Sequence, residues 1–385
     1  MRLLRRAPGG RGHPLRGSPV ATVAVDALGA DRGLGEVVGG ARQAADQGTH
    51  CLLFGPRSEI EAALGEAPAQ IEVVDAPEAI TNFDEPAQAV RAKRDASIVQ
   101  AARSLADGRA DAVVTAGSTG AALAASLIHV KRLPGVYRPA LAVLVPVPGR
   151  PVLMLDVGAN VEVRPEHLVQ FAFMGAAFSE GVLGVSRPRV GLLSIGEEPG
   201  KGTPDVVAAH ERLSAMDEVP FEFAGNIEGF GLAAGDADVL VTDGFTGNVA
   251  LKVTEGTAKA IVGAIREAIR SGTISKLGGL LVRGRLAGLR EALSPDTVGG
   301  AYLLGLRGLV VVCHGNSTSR AIANAIALAE RGVEERVVAR MAAALRAAGV
   351  LREVTGAPES AGRAPAGGEA EAAGASVAAD SVTER

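Results

Sequence analysis

Short apolar runs alternate with longer amphipathic stretches through most of this chain. The runs are ATVAVD (21–26), CLLF (51–54), IEVV (71–74), DAVVT (111–115), LAVLVPV (141–147), VLMLDV (152–157), RVGLLSI (189–195), DVLVTD (238–243) and LVVVC (309–313). They are too short for helices, rich in Val and bounded by turn formers, so they predict strands. Most are apolar without alternation, the pattern of strands covered on both faces. Helical periodicity predicts helices over 36–48, 97–107, 119–131, 165–181, 204–215, 248–271, 276–292, 317–331 and 333–347. Strand–helix alternation of this kind predicts an α/β fold with a mostly parallel sheet and helices on both sides. The two runs flanking PVPGRP are close enough in sequence to pair as an antiparallel hairpin.

The ends read differently. Residues 1–19 carry five Arg and no acid, and the stretch after residue 355 is built largely from Ala, Gly, Glu and Ser. Neither can bury enough apolar surface to offset chain ordering. The expected organisation is a disordered basic arm over 1–19, a single α/β domain over 20–351 and a disordered low-complexity tail over 352–385. The arm lacks the apolar stretch of a secretory leader, and no uninterrupted apolar run reaches membrane-spanning length. The net charge is −4 and there is no Trp. General nucleic-acid binding is therefore not expected. Cys51 and Cys313 lie in apolar runs without a CxxC, which predicts buried free thiols and no zinc or disulfide framework.

Most strands end in a polar or Gly-rich turn: DALGAD, TAGSTG, DVGANV, SIGEEPGKG, TDGFTGN and CHGNSTS. Ligands in open α/β sheets sit beyond strand carboxyl ends, so these six turns are expected to converge on one active-site cleft. No GxGxxG follows a strand. GEEPGKGT (196–203) departs from a phosphate-binding P-loop, because its first Gly is one residue too close to Lys201 and Gly202 replaces Ser/Thr. Lys201 among glycines ahead of a helix suits an anion, and a tight turn suits the same glycines. Ser118 and Thr119 open a helix, where an N-cap and a bound oxygen both fit. Asp243 and Asn248 flank the start of a long helix. His314 and Ser317 sit at a strand end, but no GxSxG elbow supports a nucleophilic Ser. Asp156, Asn160 and His167 lack metal-ligand spacing, so no metal site is predicted. Leu277, Leu280, Leu281 and Val282 cluster at a Gly–Gly break beside Lys276, Arg283 and Arg285. That pattern fits an anionic membrane surface, and equally a helical hairpin buried in a dimer.

Taken in order, VAVDALGAD, PAQAVRAKRDASI, TAGSTGA, LDVGANVEVRPEHLVQFA, IGEEPGKG, GNIEG, GDADVLVTDGFTGNVALK, KLGGLL and GGAYLLGLRGLVVVCHGNSTSRAIANAI closely resemble the phosphate acyltransferase family. The resemblance covers about 20–330. The chain departs from the usual family residues at Ala30 (Gly), Ser118 (Asn), Tyr302 (Pro) and Asn316–Ser317 (Ser–Ser).

The resemblance implies a three-layer α/β/α Rossmann-like fold related to phosphotransacetylases and to the isocitrate/isopropylmalate dehydrogenase shape, with a protruding helical hairpin. It implies a homodimer that converts acyl-[acyl carrier protein] and inorganic phosphate into acyl phosphate, without a cofactor. The product would pass to a membrane acyl-phosphate:glycerol-3-phosphate acyltransferase, from a cytoplasmic enzyme resting on the inner membrane face through the hairpin. On this view Ser118, Thr119, Lys201 and Gly202 hold phosphate. Asn160, Asn248 and His314 serve the oxyanion or leaving thiol, and Asp243 orients Asn248 or Lys252. The alternatives are a coenzyme A-dependent phosphotransacylase, a dehydrogenase of similar shape and a non-catalytic membrane scaffold for lipid synthesis.

Overall fold

Among the described residues, eleven strands form one sheet in the order β3-β2-β1-β4-β11-β10-β5-β6-β9-β7-β8. The strands are β1 (Thr22–Asp26), β2 (His50–Gly55), β3 (Ile71–Asp75), β4 (Ala112–Thr115), β5 (Ala140–Val145), β6 (Val152–Leu155), β7 (Arg189–Leu193), β8 (Glu222–Ile227), β9 (Val239–Val241), β10 (Ala301–Leu304) and β11 (Leu309–Val312). This computed structural model describes residues 21–147, 150–272, 299–352 and, between the last two ranges, residues 275, 276, 278, 282 and 284. The expected arm over 1–19 and almost all of the expected tail lie outside the described residues.

Alternate strand residues feed two separate cores. Val23, Val25, Leu53, Val114, Leu153, Leu155 and Val311 point to one face, where α1 (Leu34–Ala45), α2 (Arg57–Leu64), α6 (Pro165–Leu183), α7 (Pro204–Ser214), α10 (Ser319–Glu334) and α11 (Val337–Ala347) pack. Ala24, Leu52, Phe54, Val113, Met154, Leu240 and Val310 point to the other face. That face is covered by α3 (Pro86–Ala92), α4 (Ser97–Ala106), α5 (Thr119–Ala125), α8 (Gly229–Ala234) and α9 (Gly244–Arg270). Period-two side-chain alternation between two helical layers gives the three-layer α/β/α architecture. The predicted hairpin is present, with β5 antiparallel to β6. Both thiols are buried, and burial pushes each up to about 12.

The sheet's directions divide the six turns between two edges, although residues of four of them still line one cavity, described below. β10 is antiparallel to both β11 and β5, and β5 is antiparallel to β6. The parallel run β3-β2-β1-β4-β11 therefore points opposite to the parallel run β6-β9-β7-β8. The six turns do not converge on one edge. DALGAD, TAGSTG and CHGNSTS leave one edge of the sheet, and DVGANV, TDGFTGN and SIGEEPGKG leave the other. Three antiparallel contacts in the middle of the sheet suffice to split them.

Candidate active site

The first group of turns is bound together by backbone and side-chain hydrogen bonds. Cys313 N–H donates to the Thr115 carbonyl (2.7 Å) and Asp31 N–H to the Gly315 carbonyl (2.8 Å). A Cβ on Gly315 would lie 2.5 Å from the Asp31 carboxylate, so a side chain there would have to turn the exposed Asp31 aside. Within it Ser317 N–H donates to the His314 carbonyl (2.9 Å), and Asn316 N–H donates to His314 Nδ1 (3.1 Å). An Nδ1 that accepts leaves the proton of the neutral ring on Nε2, so His314 offers a hydrogen-bond donor there.

The second group anchors α9. Asp156 is fully buried and accepts from the N–H groups of Leu141, Gly158, Ala159 and Asn160 and from the Asn160 amide. Burial nevertheless holds its carboxyl above the usual range, against the lowering effect of those donors. Gly244 N–H donates to the Asn160 carbonyl (2.7 Å), and Asp243 caps the helix by accepting Thr246 N–H (2.8 Å). The third turn is fixed by Asn226, whose amide donates to the carbonyls of Glu198 (2.8 Å) and Lys201 (3.3 Å) while its oxygen meets His210 Nδ1 (3.0 Å).

Between α9 and the sheet lies a cavity of about 650 Å³. Leu141, Val143, Leu144 and Val145 of β5, with Pro146 and Val157, give it an apolar wall. α9 supplies Asn248, Leu251, Lys252, Glu255, Lys259, Val262 and Arg266. Lys252, Lys259 and Arg266 recur every seven residues, so one helix face brings a row of cations to a largely apolar space. Thr119, Gly158, Gly299, Gly300, Cys313, His314 and Ser317 are also among the lining residues.

Of the residues expected to serve the reaction, the structure brings Thr119, Asn248 and His314 to this cavity. Ser118, at the N-cap of α5, faces a tight space beside Asp26 instead. Asn160 donates its amide hydrogens to the Pro139 carbonyl (2.7 Å) and Asp156 (2.8 Å). It holds its loop and has no amide hydrogen left for an oxyanion, which corrects the expected role. Asp243 accepts from Thr246 as a helix cap, and Lys201 and Gly202 lie in the turn after β7 rather than in the cavity lining. Val282 is exposed, while Leu277, Leu280 and Leu281 lie outside the described residues. Sequence reasoning missed Lys259 and Arg266 altogether, although their spacing from Lys252 was a readable signal.

A family model described as a fatty acid synthesis protein matches residues 21–340. The chain is 44% identical over 322 residues to a phosphate acyltransferase of Heliobacterium modesticaldum, covering 82% of this chain and 95% of the relative. It is 43% identical over 330 residues to a phosphate acyltransferase of Nostoc punctiforme, covering 84% and 96%. Among solved structures, a phosphotransacetylase from Streptococcus pyogenes matches with a TM-score of 0.54 at 17% identity, over 82% of this chain and 94% of that one. That likeness is one of fold, and it agrees with the α/β/α layers described above. A match across nearly the whole folded region, and relatives matched along nearly their full lengths, place this chain in the phosphate acyltransferase family.

Proposed function

We propose that this chain transfers an acyl group from acyl-[acyl carrier protein] to inorganic phosphate. The observation that carries the reading is the cavity under α9, which joins an apolar wall to a row of cations and a histidine donor. The acyl chain lies along the β5 wall, where burying each methylene is worth about 0.8 kcal/mol. Phosphate, already an anionic nucleophile, is held by Lys252 beside Asn248. A phosphate oxygen attacks the thioester carbonyl carbon, the C–S bond breaks, and the thiolate takes a proton. His314 Nε2–H supplies that proton and recovers one from the hydrogen phosphate, so the overall step is balanced without a covalent enzyme intermediate. Asn248 donates to the oxyanion that forms on the carbonyl oxygen. Phosphate-dependent release of carrier protein from its acyl thioester, set beside an acyl-coenzyme A thioester, tests the reading. Preference for the coenzyme A thioester would move the chain to the phosphotransacylase alternative.

Two lysines compete for the phosphate role. Lys252 lines the cavity, and Lys201 does not. A charge-assisted hydrogen bond contributes about 1.5–3 kcal/mol, so Lys252→Ala is expected to raise KM for phosphate roughly ten- to a hundredfold. Lys201→Ala is expected to leave it within about threefold. Phosphate kinetics over a range of concentrations check both, and the opposite ranking would return phosphate to the glycine-rich turn.

The assembly completes this reading. β6, β9, β7 and β8 are parallel neighbours, so their carboxyl ends share an edge, and the exposed side chains Val161, Ile195, Phe230 and Phe245 follow those ends. Exposed Val249 and Val253 continue from Phe245 along α9 at steps of four. A second copy of the chain covers this apolar edge as a homodimer. Among the described residues no helix is long and apolar enough to cross a membrane. The Leu280–Leu281 segment, with Lys276, Arg283 and Arg285 close in sequence, suits peripheral contact with an anionic surface, where product reaches a membrane acyltransferase. Leu280→Glu with Leu281→Glu is therefore expected to abolish co-sedimentation with anionic vesicles while the protein still sediments as a dimer and turns over. Undiminished vesicle binding, or a wild-type monomer, would remove the corresponding part of the proposal.

A further inference from the structure

We propose that Asp26 is a positioning residue for acyl transfer, acting through Thr115 and Gly117 on the turn that presents Thr119 to the cavity. The proposal rests on the acyl-transfer reading above. Asp26 ends β1 and is buried, 3% exposed. Its Oδ1 accepts from Ser97 Oγ (2.5 Å) and Leu28 N–H (3.2 Å), and its Oδ2 accepts from Thr115 Oγ1 (2.7 Å). Thr115 Oγ1 in turn accepts Gly117 N–H (3.0 Å), two residues before Thr119. One carboxylate thereby ties the exits of β1 and β4 and the start of α4 into a single unit.

Close backbone packing makes that unit stiff. A Cβ on Gly29 would lie 2.9 Å from the Gly117 Cα, and one on Gly117 would lie 3.3 Å from the Leu28 carbonyl oxygen and 3.4 Å from Asp26 Oδ2. The third turn joins through Asp31 N–H on the Gly315 carbonyl, next to His314. Thr119 and His314 thus reach the cavity from turns that share this anchor.

The chemistry at the anchor requires a carboxylate. Ser97, Leu28 and Thr115 all donate to it, and both oxygens are used. An amide has one acceptor oxygen, and its NH₂ group would compete with Gly117 N–H for the Thr115 oxygen. The groups holding Asp26 are two hydroxyls and a backbone N–H rather than a cation, and burial pushes its carboxyl up to about 6. A buried carboxylate without a cation partner burdens the fold, so placing it under the reacting turn, rather than an amide or an apolar residue, is explained by what it orients.

The test compares kcat, KM for the acyl-carrier thioester and thermal melting for wild type, Asp26→Asn, Thr115→Val and the double variant. Displacing a reacting group by about 1 Å costs on the order of a hundredfold in rate. Asp26→Asn is expected to lower kcat roughly ten- to a hundredfold, with KM for the thioester within about twofold and a cooperative melt retained. Thr115→Val is expected to reproduce the loss, Thr115→Ser to restore most of the turnover, and the double variant to be no slower than the slower single one, because both act through one chain of contacts. Thr115→Val carries the test if Asp26→Asn loses its cooperative melt. Wild-type kcat in Asp26→Asn or Thr115→Val, or losses that multiply in the double variant, would overturn the proposal while leaving the acyl-transfer reading intact. Absence of phosphate-dependent turnover in wild type would remove both.

Discussion

His314→Ala is expected to lower kcat for phosphate-dependent release of carrier protein by about a hundred- to a thousandfold, the usual cost of removing a donor or general acid at the reacting centre. KM for phosphate should change little, since the cations of α9 remain. The direction follows from one hydrogen bond. Asn316 N–H occupies Nδ1, so Nε2 carries the proton of the neutral ring, and His314 lines the cavity. A leaving thiolate needs such a donor more than the ground-state thioester does, so the loss falls on kcat rather than on binding. His314→Gln, whose amide can also donate, should recover part of the hydrogen-bonding share of the loss but none of the proton transfer. An alanine variant turning over at the wild-type rate would reduce His314 to a turn residue.

The layers of this fold were legible in the sequence, and the sheet's directions were not. Val-rich runs with intervening amphipathic stretches gave most of the strands and the two helical layers. β8 escaped because EFAGNI includes Gly225 at φ 77°, and its pairing with β7 shifts register at Val190/Gly191. β10 (AYLL) is too short to separate by periodicity from the glycines before it and the strand after it. Yet β10 is one of the antiparallel strands that reverse the sheet, so missing it concealed the split between the two groups of turns. Among candidate site residues, Thr119, Asn248 and His314 were reachable because strand-end turns point to ligands. Asn160 was misassigned because a buried amide reads the same in sequence whether it holds its own loop or a substrate. Asp26 was inconspicuous for the same reason: its significance lies in Ser97 and Thr115, distant in sequence and brought to it by α4 and β4.

Two alanine substitutions in one helix should move stability in opposite directions. Gly247 and Gly256 both lie in α9, both are free of the left-handed φ that favours glycine, and in a helix Ala is preferred to Gly by about 1 kcal/mol. At Gly256 a Cβ meets nothing within 4 Å, so Gly256→Ala should realise that preference and raise Tm slightly. At Gly247 a Cβ would collide with the Asp156 carbonyl oxygen and lie 2.8 Å from Thr242 Cγ2. Neither obstacle can readily retreat. The Asp156 carboxylate is fixed by donors from Leu141 and from its own loop, and Thr242 is bound to both sides of the β6 exit, its N–H on the Leu155 carbonyl and its own carbonyl accepting Asp156 N–H. Overpacking in such a setting costs about 1–3 kcal/mol and at times more, enough to outweigh the helical preference. Gly247→Ala should therefore lower Tm by several degrees. It should also depress turnover more than the stability loss explains, because the helix start it displaces carries Asn248 and, one turn on, Lys252. Paired melting curves and kinetics of the two variants decide the matter, and a Gly247→Ala protein as stable and active as Gly256→Ala would show that α9 does not seat on the Asp156 loop.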